Sequence, residues 1–89
     1  MLNNTTSKNN PNNNIRISFR RYRKYNRFLN YVKKDSILSK TLVEDYNKEV
    51  LLTFNNEEIR SKIFKQLREN INGARIRYTR AGFKYLTVV

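Results

Sequence analysis

A chain of 89 residues with 19 Lys and Arg, seven Asp and Glu and a formal charge of +12 has room for one small domain with a thin core. It contains no Cys and no His, which excludes thiolate and imidazole metal sites, a disulfide scaffold, the thiol nucleophile and the commonest general base. No apolar run approaches the roughly 20 residues that span a bilayer, and the N-terminus lacks the apolar centre of a secretory signal.

Residues 1–14, MLNNTTSKNNPNNN, are Asn-rich and nearly free of apolar side chains. Such a segment cannot offset the entropy of ordering, so it is expected to stay disordered unless a partner holds it. The folded domain is expected over residues 15–89. Ile15, Ile17 and Phe19 alternate with Arg16 and Ser18, the period of a short strand. From Arg20 the period changes. Tyr22, Tyr25, Leu29 and Val32, widened by Phe28, make an apolar stripe on a helix of about 20–33. Asp35 and Ser36 are N-cap residue types, and Leu38, Leu42 and Tyr46 recur every four positions, which predicts a second helix of about 36–47. The short apolar run at 50–54 predicts a buried strand. Asn55 with Glu58 three residues on forms a capping box for a third helix. Its core face is Ile59, Ile63, Phe64, Leu67 and Ile71, and Asn72-Gly73 is its stop. Residues 75–79 and 83–89 then flank Arg80-Ala81-Gly82, a three-residue hairpin loop with Gly at the left-handed position. Ile76 and Tyr78 are expected to face inward.

The expected fold is therefore α+β, a small single domain of order (β)-α-α-β-α-β-β with a C-terminal β-hairpin. Two or three helices followed by a basic hairpin also fit a winged-helix arrangement, although the strand at 50–54 sits where such a fold wants its turn.

Charge is unevenly distributed. Residues 15–34 contain Arg16, Arg20, Arg21, Arg23, Lys24, Arg27, Lys33 and Lys34 and no acid. Residues 71–89 contain Arg75, Arg77, Arg80 and Lys84 and again no acid. The region between holds all seven acids and is nearly balanced, so the sequence balances charge in one place and leaves it unbalanced in two. A row of cations on one helix face engages several phosphates and releases their counterions. Arg outnumbers Lys in the first basic segment, and its planar fork suits phosphate and stacks on bases. These twelve cations are the candidate nucleic-acid-binding residues.

Each feature also has a plainer reading. Cations on a hairpin protect an edge strand from aggregation. Most of the aromatic residues sit at core spacing, with Tyr31 and Tyr85 the freest to stack on bases. A basic amphipathic helix can also lie on a membrane or serve as a peptide target, but this one needs its apolar face for the core. The acids match surface and helix-start positions better than catalytic pairs. No phosphate-binding glycine loop, dinucleotide fingerprint or zinc spacing is present. The sequence thus predicts an RNA-binding protein without enzymatic activity or cofactor. It would be a small ribosomal or other ribonucleoprotein subunit of the cytoplasm or the mitochondrion, bound to RNA in preference to DNA and beside other proteins of the particle. A small DNA-binding regulator or architectural protein, of the kind a phage encodes, and a basic inhibitor of an acidic protein are the alternatives.

Overall fold

The computed structural model describes residues 13–89. The elements run β1 (Asn14–Phe19), α1 (Tyr22–Lys34), a 3-10 turn (Leu38–Lys40), β2 (Leu42–Tyr46), β3 (Glu49–Thr53), α2 (Glu57–Asn70), β4 (Ala74–Tyr78) and β5 (Lys84–Val88). The α+β class stands. The strands form one mixed sheet in the order β2-β3-β1-β5-β4. β1 is antiparallel to β3 and parallel to β5, and the two outer hairpins are antiparallel. These directions make β1-α1-β2 and β3-α2-β4 two split βαβ units, each with other strands between its parallel pair.

Alternation sets which face of the sheet is buried. Ile15, Ile17 and Phe19 of β1 meet Leu52 and Val50 of β3 on one side and Leu86 and Val88 of β5 on the other, and all are buried. They share one core with Tyr25, Phe28 and Val32 of α1 and Ile63, Phe64 and Leu67 of α2. Both helices therefore lie on the same face of the sheet. The intervening strand residues, among them Arg16, Tyr85, Arg75 and Arg77, belong to the other face. No element of the described residues covers that face.

The C-terminal hairpin forms as its sequence predicts. Gly82 N–H donates to the Thr79 carbonyl at 2.9 Å, Thr79 N–H donates to Phe83 O at 2.9 Å, and Gly82 takes φ 90°. Gly73 is the other glycine the chain requires. Its φ is 86° and an added Cβ would lie 3.1 Å from the Val89 backbone oxygen.

Residues 36–47 differ most from expectation. The predicted helix is instead the 3-10 turn followed by β2, which pairs with β3 from Leu42↔Thr53 to Tyr46↔Glu49. The four-residue spacing of Leu38, Leu42 and Tyr46 mimicked a helix face, yet Leu42 and Tyr46 are exposed and only Leu38 enters the core. Val43 packs against the core instead. Asp35 does cap, its Oδ2 accepting from the backbone of Ile37 and Leu38 at 3.1 and 2.8 Å. The helix pair that a winged-helix arrangement requires is absent among the described residues.

Smaller corrections follow the same logic of packing. Tyr22, expected on the apolar stripe of α1, is 58% exposed, whereas Phe28, expected only to widen that stripe, is buried with Tyr25 and Val32. Ile59 and Tyr78 are exposed rather than buried. The cap of α2 is Asn56, one residue later than expected, with its Oδ1 accepting from Glu58 and Ile59 N–H at 2.7 and 3.2 Å. β1 opens at Asn14, and Asn13 O accepts from Phe54 N–H at 2.9 Å. The tail expectation for residues 1–12 lies outside the described residues.

Candidate nucleic-acid interface

The twelve candidate cations divide between the two sides of the sheet. On the helix side, α1 presents Arg23, Arg27 and Lys34, all exposed. At 3.6 residues per turn they fall within about 40° of one another around the axis. Lys33 is exposed beside them, and Arg20 and Arg21 are exposed where β1 turns into the helix. Among the described residues none of these cations reaches an acid within ion-pair distance.

The start of α1 is built against ordinary helix electrostatics. Its N-cap residue is Arg21, which makes no side-chain cap bond, and its first turn has no acid. Arg20, Arg21, Arg23 and Lys24 thus crowd the positive end of the helix dipole, where cations are unfavourable. Lys24 alone has an internal use. Its Nζ donates to the backbone oxygens of Val89 at 2.5 Å and Asn72 at 3.4 Å, which pins the helix start to the turn that follows α2. Beside it an open groove of 310 Å³ runs between the helices, with Lys24, Arg27 and Tyr31 on one side and Asn70 and Asn72 on the other.

On the open side, Arg16, Arg75 and Arg77 share the bare sheet face with aromatic residues. Arg77 is paired with Tyr85 and Arg75 with Thr87 across the last hairpin. The Arg16 guanidinium lies 4.5 Å from the centroid of the Tyr85 ring, and its Nε donates to Glu49 Oε1 at 3.2 Å. A depression of 170 Å³ beside this pair is lined by Leu51, Phe83 and Tyr85. Arg80 is exposed at the hairpin tip, while Lys84 has its ammonium 5.4 Å from the Phe64 ring centroid, on the helix side. Sequence reasoning singled out Tyr85 but missed Phe83 and the approach of Arg16. The signal was the shared parity of positions 75, 77, 83 and 85 across a hairpin of known loop length.

The acids are mostly engaged in folding. Asp35 caps the 3-10 turn, Glu49 holds Arg16, and Glu57 and Glu58 occupy the first turn of α2. Asp45 Oδ2 accepts from the Tyr25 hydroxyl at 3.1 Å. Burial first, then this bond and the nearby negative charge, push the Tyr25 phenol above its ordinary value. Arg60 is the one guanidinium held low, by burial, and its Nε donates to the Asn14 carbonyl at 2.8 Å. Among the described residues no cluster of acids could hold a metal ion, and no helix is long and apolar enough to cross a membrane.

Comparison with protein-family models, curated proteins and solved structures gives no match. The functional reading therefore rests on the residues and their geometry.

Proposed function

We propose that this chain is a non-enzymatic RNA-binding protein, a small subunit of a ribosome or another ribonucleoprotein particle. It neutralises and shapes RNA through Arg and Lys contacts to phosphate. The observation that carries the proposal is the N-terminal half of α1. Arg20, Arg21 and Arg23, beside the internally bonded Lys24, crowd a helix start that has no side-chain cap and no acid, an arrangement that is unfavourable by itself and becomes favourable when phosphate arrives. Exposed backbone N–H groups and the dipole at a helix start add to the attraction for an anion.

The division of charge between two sides of one sheet supports RNA enclosure over insertion into a single groove. A protein within a folded RNA meets phosphates on several sides, and contacts of this kind fix position and shape with little base reading. The engagement of most acids in caps, an ion pair and a tyrosine bond supports the absence of catalytic chemistry.

The test is a titration of the protein against a fully paired RNA hairpin at several salt concentrations. With about six phosphates neutralised, log K should fall against log[salt] with a slope of about −5. A slope near zero at measurable affinity overturns the proposal. Tighter binding to one sequence in a DNA duplex than to any RNA would replace it with the regulator reading.

A further inference from the structure

We infer that the β1-β5-β4 half of the open sheet face binds a single-stranded segment of the RNA. Unpaired bases stack on Phe83 and on the Arg16–Tyr85 pair, and the backbone runs along Arg75 and Arg77. This rests on the RNA-binding reading and specifies the part of the RNA that the second surface takes.

Three observations lead there. First, the face bears aromatic and apolar side chains that the core does not use. Phe83 is 40% exposed, and Tyr85 and Leu51 are half-buried around the same depression. A sheet face that only meets water has no need of them, and every base has a face that stacks on such groups. Second, the strands of this half carry cations and no acid. β1, β4, β5 and the hairpin loop contain no Asp or Glu, Glu49 of the neighbouring β3 reaches across to Arg16, and Arg75 and Arg77 sit directly across from Thr87 and Tyr85. Residues two apart on a strand are about 6.6 Å apart, close to the step between successive phosphates of an extended nucleotide chain.

Third, the width of the continuous sheet argues against insertion into a major groove. Five strands spaced about 4.8 Å apart make a face about 19 Å across. The major groove of B-DNA is only about 12 Å wide and admits a helix or a two-stranded ribbon, and the major groove of an RNA duplex is narrower still. This face cannot enter either. Bases splayed out of a loop or a single strand can lie flat on it. Arg16 contributes in both directions, because its guanidinium covers Tyr85 and offers an approaching base a second plane on which to stack.

The experiment measures binding of a fluorescein-labelled ten-nucleotide oligouridine RNA and of a paired RNA hairpin to the full chain and three variants. Phe83→Leu/Tyr85→Leu keeps apolar volume but removes both rings, and Arg75→Gln/Arg77→Gln alters only exposed side chains, so folding is not at risk in the second pair. Each pair should weaken oligouridine binding by about tenfold or more while leaving the hairpin within about twofold. Arg23→Gln/Arg27→Gln/Lys34→Gln should do the reverse. Unchanged oligouridine binding in both sheet-face variants overturns the inference and leaves the RNA-binding reading standing. Failure of the unsubstituted chain to bind either RNA overturns that reading instead. Tighter binding of the matching ten-nucleotide DNA than of the RNA overturns the assignment to RNA.

Discussion

The two helices of this protein do the same work on their inner faces and opposite work on their outer ones. α1 buries Tyr25, Phe28 and Val32, and α2 buries Ile63, Phe64 and Leu67, into one shared core. Outside, α2 follows the usual rules of helix stability: Asn56 caps it, Glu57 and Glu58 open it, and Arg68 lies in its last turn. α1 keeps only the last of these, with Lys33 and Lys34 at its end, and has Arg21 as its cap residue. The same chain can build a well-capped, charge-balanced helix, so the departure in α1 is not a general property of a basic composition. Under the proposed function, the outer surface of α1 is the one that meets phosphate.

The largest effects should come where the helices are alike. Phe28→Ala in α1 and Leu67→Ala in α2 should each cost about 2–5 kcal/mol in chemical unfolding, since both side chains are buried. A much smaller loss in α1 would mean that its inner face is not part of the common core. Next come the surfaces, where the helices should separate. Arg20→Gln/Arg23→Gln/Arg27→Gln should reduce affinity for a paired RNA about 100-fold at low salt and flatten the salt slope by about 2 to 3. Lys62→Gln/Lys65→Gln/Arg68→Gln on α2 should change either by much less. Equal losses would show that total charge alone drives binding.

A smaller pair of substitutions tests the helix starts directly. Arg21→Asp supplies α1 with a cap acceptor at a residue whose backbone is already extended. It should raise stability by about 1 kcal/mol while weakening RNA binding. Asn56→Ala should lower stability by about 1 kcal/mol and leave RNA binding unchanged. Opposite signs on stability, with only one change in affinity, would confirm that α1 trades local stability for charge. A fall in stability from Arg21→Asp would refute that trade.

The smallest effect is in alkali. The Tyr25 phenol is held above its ordinary value in the folded chain by burial and by Asp45, so the unfolded chain loses this proton first. Its contribution to stability is intact below about pH 10 and falls as pH rises from there through the folded value. Thermal unfolding of Tyr25→Phe should therefore depend less on pH in that range than that of the unsubstituted chain. The half-buried guanidinium of α2, Arg60, gives no counterpart, because an arginine stays charged throughout that range.

By itself, the sequence determined the elements whose signals are local. Period-two alternation of Ile15, Ile17 and Phe19 specified β1, Arg80-Ala81-Gly82 specified the last hairpin loop, and the spacing of Ile63, Phe64 and Leu67 specified α2. The row of cations on α1 was legible for the same reason, since a helix of known period fixes its own faces. Elsewhere local signals were ambiguous. Leu38, Leu42 and Tyr46 satisfy a helix period, and only the pairing of Val43 with Leu52 decides that the segment is a strand. Asn55 and Asn56 are equally good caps until the helix axis is set by the core. The open sheet face was decided by tertiary structure alone. Arg16 meets Tyr85 across 69 positions of sequence because β5 inserts beside β1 in parallel, and strand order in a sheet depends on long-range packing that no window of neighbouring residues encodes.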